Sequence, residues 1–143
     1  MFKTAGTALC EFTFSPGYCD MLGAYHCQTL KKTPEGGWVI ECRDREEHSS
    51  PEVVATYPAD AEKVASFAGL LGGKAVRSLA KRGKSRDFIT DYSPWSMRIT
   101  FEPADGKRSE KDYLSLDQYR RYSKKDYQTI EEIKAAFAAL KED

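Results

Sequence analysis

Apolar and polar residues alternate most cleanly across residues 93–102. Trp95, Met97, Ile99 and Phe101 interleave with Ser96, Arg98, Thr100 and Glu102. A period of two sends the two sets to opposite faces of a strand. One set is apolar and the other polar, so this strand has one face in a core and one in water. Similar alternation predicts further strands. Within residues 7–14, Ala8, Cys10, Phe12 and Phe14 take the core side and Leu9 the other. Within residues 25–32, Tyr25, Cys27 and Thr29 share the core side, and Leu30 falls on the polar side. Within residues 38–43, Trp38, Ile40 and Cys42 point inward. Thr33-Pro34-Glu35-Gly36-Gly37 is a turn sequence. It makes the second and third strands a hairpin, and the first three strands an antiparallel meander. The apolar run 53–57 adds a few strand residues.

Helical spacing appears elsewhere. Ala61, Val64, Ala65, Ala68 and Leu71 recur at three- and four-residue steps, which is one helix face. Gly72-Gly73 interrupts that helix, and Ala75, Val76, Leu79 and Ala80 predict a second, short one. Pro103-Ala104-Asp105-Gly106 turns the chain after the strand at 93–102. The charged segment 107–112 then returns as an edge strand, where charges block unwanted pairing. Residues 113–128 show no clean period and read as a long ordered loop. A last helix is expected to begin at Thr129, which has capping-box spacing to Glu132. Ile130, Ile133, Phe137 and Leu140 form its apolar stripe.

These elements predict an α+β fold. One antiparallel sheet of about five strands carries helices packed on one face, and residues 1–143 form a single domain. The other sheet face is expected to be wet, with Leu9, Leu30 and Val39 as a small apolar patch upon it.

Charge changes the picture only locally. Twenty-two basic residues balance 22 acidic ones, so no global field draws the molecule to nucleic acid or anionic lipid. The N-terminal residues lack a signal-peptide apolar run, and no stretch has the length of a membrane span. The expected setting is the cytoplasm, with no membrane partner. The four cysteines, Cys10, Cys19, Cys27 and Cys42, are then expected to be reduced.

Three thiols on adjacent strands, Cys10, Cys27 and Cys42, together with His26 or Cys19, would suffice in number for zinc. No Cys-x-x-Cys spacing supports that, and His26 lies on the face opposite Cys27. The three read instead as small core hydrophobes, and no metal or cofactor is expected. Cys19 with His26 or His48 could form a nucleophile–base pair. No family signature surrounds them, so a Cys-dependent enzyme ranks third among the readings. Phosphate-binding glycine loops, His-Glu-x-x-His and Gly-x-Ser-x-Gly are absent.

Two surface features remain. Lys74, Arg77, Lys81, Arg82, Lys84 and Arg86 follow one another with no intervening acid, and Arg120, Arg121, Lys124 and Lys125 form a second basic group within 107–125. Cations interleaved with tyrosines can hold phosphates and stack bases. This supports nucleic-acid binding as the alternative function. Tyr113, Tyr119, Tyr122 and Tyr127, joined by Tyr18, provide large contact area at low entropic cost. They mark a surface for a protein partner or a second copy of the chain. The C-terminal strand–turn–strand–helix half resembles many small bacterial α+β domains, a likeness that carries no catalytic residue. The first reading is therefore a non-enzymatic interaction protein.

Overall fold

The computed structural model describes residues 9–16, 25–47, 49–83, 95–102, 112–118 and 120–141. Among these residues six strands and three helices follow one another: β1 (Leu9–Ser15), β2 (Tyr25–Lys32), β3 (Trp38–Arg45), β4 (Val53–Pro58), α1 (Ala61–Leu71), α2 (Lys74–Leu79), β5 (Ser96–Phe101), β6 (Asp112–Asp117) and α3 (Lys124–Ala138). The strands form one sheet in the order β4-β3-β2-β1-β5-β6, and every neighbouring pair is antiparallel. The predicted α+β class and the meander are present, with six strands.

Local chemistry explains most boundaries. The β2–β3 turn closes through Thr33, whose N–H donates to Gly37 O at 2.8 Å and whose hydroxyl accepts from the Gly37 N–H. Gly36 lies at φ +95°, a region that side chains avoid. Asp60 caps α1 by accepting from the Glu62 N–H at 3.0 Å. At the α1–α2 break, a Cβ on Gly73 would come within 3.2 Å of the Leu70 carbonyl.

The core lies between the sheet and the helices. Phe12 is its hub, with ring centroids 5.0 Å from Phe67 of α1 and 4.9 Å from Phe137 of α3. Met97, Ile99 and Phe101 are buried as expected, while Trp95 is half-buried. In α1 the buried residues are Val64, Phe67 and Leu71, and Ala61 and Ala65 remain exposed.

Two face assignments are corrected. Leu9 and Phe12 are both buried, although an odd number of positions, three, takes one to the other. The β1–β5 register shifts between Leu9 and Glu11, and such a bulge lets both point inward. In β2 the buried residue is Leu30. It pairs with Ile40 of β3 and Phe12 of β1, so Cys27 and Thr29 lie on the open face. Burial of Leu30 among large apolar neighbours outweighs whatever a cysteine and a threonine gain by packing. The predicted patch of Leu9, Leu30 and Val39 therefore does not exist.

The C-terminal third also differs from expectation. Residues 113–128 are not a loop. Tyr113 to Asp117 belong to β6, where Leu116 is buried and Tyr113 exposed. The N-cap of α3, Ser123, lies six residues before Thr129. Ser123 accepts from the Asp126 N–H at 3.0 Å, and Asp126 accepts from the Ser123 N–H at 2.9 Å. This is the capping box. The Thr129 hydroxyl instead donates to Lys125 O. Asp126, Ile130, Ile133 and Phe137 form one buried stripe. A charge at its first position hid the helix start from an apolar-periodicity reading. Of the predicted return strand at 107–112, only residue 112 falls among the described residues, as the first of β6.

Candidate interaction surface

The two edges of the sheet are finished differently. On β6, Arg120 donates through Nη2 to Ser115 O at 3.0 Å, and the Tyr122 hydroxyl donates to Asp117 O at 2.8 Å. The chain thus covers outward carbonyls of its own edge strand, which prevents foreign pairing. Burial pushes the Tyr122 phenol up to about 12, ahead of every other influence on it. It therefore stays protonated and remains a donor.

Among the described residues, no such cover lies over the middle of β4. The Ala59 N–H turns inward to Trp38 O at 3.0 Å, and the Asp60 N–H turns outward to Leu140 O at 2.9 Å. A bridge between Ala59 and Lys141 accompanies the second bond. Backbone direction alternates along a strand. Val53, Ala55 and Tyr57 therefore bond to β3, while the N–H and C=O groups of Val54 and Thr56 point away from the sheet. Among the described residues, no backbone hydrogen bond satisfies them. The side chains around them are apolar and open: Val53 is 60% exposed, Val54 47% and Tyr57 39%. Most of the exposed large hydrophobics among the described residues thus sit on this one strand.

Charges beside β4 are already paired. Arg43 holds Glu41 at 3.0 Å and Glu52 at 3.3 Å, and Lys31 reaches Glu41 at 3.3 Å. Arg43 first and Lys31 second hold the Glu41 carboxyl below its ordinary value. From Val53 to Pro58 the strand itself carries no charge. An incoming strand meets no isolated like charge there.

The described tyrosines lie on different elements. Tyr113 is exposed on the open sheet face, with the Arg98 guanidinium 4.3 Å over its ring. Tyr127 is exposed on α3, edge-on to Tyr122 at 5.4 Å. Tyr122 stacks on Trp95 at 6.2 Å and is partly buried. Tyr18 and Tyr119 lie outside the described residues.

The two basic segments do meet. The Arg121 N–H donates to Gly83 O at 2.9 Å, and Arg82 grips Asp126 through two bonds of 2.7 and 2.9 Å. Arg120 Nη1 donates to Ala80 O and Arg82 O. Arg82 and Arg120 therefore join α2 to β6 and α3, and the guanidinium of Arg77 lies 4.9 Å over the Phe101 ring. Lys74, Lys81, Arg121, Lys124 and Lys125 are exposed.

The cysteines separate. Cys42 is buried in the core and Cys27 lines the open sheet face. Burial raises the Cys42 thiol above its ordinary value. Among the described residues, no group of three potential ligands could hold a metal ion. Cys19 and His48 fall outside them, and His26 bonds Asp44 at 2.8 Å. The open face also carries a cavity of about 640 Å³ lined by small hydroxyls, including Thr13, Ser15, Ser96 and Ser115, with Glu11 and Arg98. No helix among the described residues is long and apolar enough to cross a membrane.

Sequence had pointed to tyrosines and cations. It missed β4 as a surface, although the uncharged run Val53-Val54-Ala55-Thr56-Tyr57 was a usable signal. No protein-family model matches the chain, and no curated protein matches it at a significant level.

Proposed function

We propose that this protein acts by binding another polypeptide, which adds an extended segment to the edge of β4. The observation that supports this reading is the contrast between the two edges: β6 is covered by Arg120 and Tyr122, while Val54 and Thr56 keep outward backbone groups amid exposed apolar side chains. Strand addition takes affinity from main-chain hydrogen bonds and specificity from alternate side chains. Such a role needs no catalytic group or cofactor. A cytoplasmic setting accords with the free thiols of Cys27 and Cys42.

Thr56→Pro is the informative variant. It removes an outward N–H and leaves the β3–β4 bonds intact, as proline on an edge strand can. A displayed random-peptide library panned against the wild type should enrich alternating, β-branched sequences, and the variant should lose them. No enrichment, or enrichment that Thr56→Pro leaves unchanged, refutes strand addition.

Nucleic-acid binding is the second reading. Its support is the junction at which the segment ending at Gly83 meets Arg121 and Asp126, with Lys81, Arg121, Lys124 and Lys125 exposed on the segments that meet there. Retention on heparin that falls with salt and with neutralisation of these residues would favour it. Arg82 and Arg120 are poor test positions, because their loss would loosen the fold.

A further inference from the structure

Resting on strand addition at β4, we infer that the partner is a second copy of this chain, paired antiparallel through β4 about a twofold axis at Ala55. The register follows from the backbone. Only the residues facing outward can bond across the axis, and these are Val54 and Thr56. Antiparallel pairing of Val54 with Thr56 of the second copy uses both residues of both chains: each N–H donates to the other's C=O, and symmetry repeats the set. A shift of two residues one way sets Val54 against Pro58, which has no N–H to give. The same shift the other way sets Thr56 against Glu52, which follows Pro51 and precedes the strand.

The ends of the strand agree with this centre. Pro51 precedes it, and the Ala59–Lys141 bridge closes it. Pairing about Ala55 lays Ala59 against Pro51 of the other copy, so the open length of edge is matched to itself.

Side chains fit the same arrangement. Val53, Ala55 and Tyr57 share a face, because they pair with Asp44, Cys42 and Ile40. Across the axis Val53 falls beside Tyr57, an aromatic–β-branched pair of the kind that stabilises sheets. It covers the two most exposed groups of that face, and the Lys141 amine already lies 4.1 Å over the Tyr57 ring. On the opposite face Val54 falls beside Thr56. Charge does not oppose association, since the chain has no net charge and the flanking ions are paired within each copy. A symmetric contact of this type closes on itself and leaves β6, whose Ser115 and Asp117 carbonyls are already bonded, as the outer edge.

Two measurements on the full chain test the inference. Sedimentation velocity should show a reversible dimer, and Thr56→Pro should raise its Kd about thirtyfold, since symmetry removes two hydrogen bonds. Val54→Lys, which charges the edge without touching the backbone, should also weaken it. Circular dichroism checks that both variants fold. Separately, Val53→Cys and Tyr57→Cys chains should form an intermolecular disulfide when mixed under mild oxidation. Neither should do so alone beyond the wild-type background, because only this register brings positions 53 and 57 of different chains together. A monomer at every concentration overturns the inference, as does a dimer indifferent to both edge variants or a mixture that does not cross-link. A monomer that still selects peptides through β4 overturns self-pairing alone; a monomer that selects none removes strand addition as well.

Discussion

Replacing Asp126 with asparagine tests how a buried charge holds the helical layer together. Asp126 performs two tasks. It closes the capping box of α3 with Ser123, and it accepts both bonds from Arg82 at the end of α2. Chiefly through Arg82, its carboxyl is lowered from 3.8 to about 2. Carried in full by folding, that shift corresponds to ~2.5 kcal/mol. The Arg82 side chain is 38% exposed, so water screens the pair, and a retained ~1–2 kcal/mol is the better expectation. Asparagine keeps the shape and an acceptor for the Ser123 N–H, but its amide nitrogen then faces Arg82 Nη2, so the variant removes the charge together with one of the two Arg82 bonds. The folded value is depressed. The contribution is therefore complete above the unfolded value near 3.8 and is lost as pH falls through about 2. Urea titrations followed by tryptophan fluorescence should show Asp126→Asn less stable by ~1–2 kcal/mol at neutral pH, with roughly half the gap gone by about pH 3. A gap that does not change with pH would refute the reasoning. So would a cycle with Arg82→Met that yields no coupling, since paired residues in one network must be non-additive.

Two further outcomes follow from the packing. Leu30→Ala should cost ~2–5 kcal/mol, because Leu30 is fully enclosed. Cys27→Ser, one strand face away and half-exposed, should change stability by no more than ~0.5 kcal/mol; equal costs from the two would refute the corrected face of β2. Tyr122 should resist ionisation until about pH 12, which an absorbance titration would show as a tyrosine step near that pH. Tyr122→Phe should delete that step and cost ~1 kcal/mol by freeing the Asp117 carbonyl.

Sequence alone determined the elements whose signal is local. The alternation of Met97, Ile99 and Phe101, the Thr33–Gly37 turn and the stripe of Ile130, Ile133 and Phe137 each state a preference within a few residues, and each is realised. The fold class follows, because one-sided strands and one-sided helices must cover each other. Tertiary structure decided whatever depends on a distant partner. The bulge that turns both Leu9 and Phe12 inward arises where β1 meets β5. Leu30 won the inner face of β2 because Phe12 and Ile40 stand beside it. Asp126 could open a buried helical stripe only because Arg82 arrives from 44 residues away. The same holds for the surface assigned to binding: β4 is an edge because of strand order, and its open length ends where Lys141 comes to rest. Periodicity records which side of an element prefers water. It carries no record of which backbone groups the rest of the chain leaves unpaired, since that depends on where remote segments end.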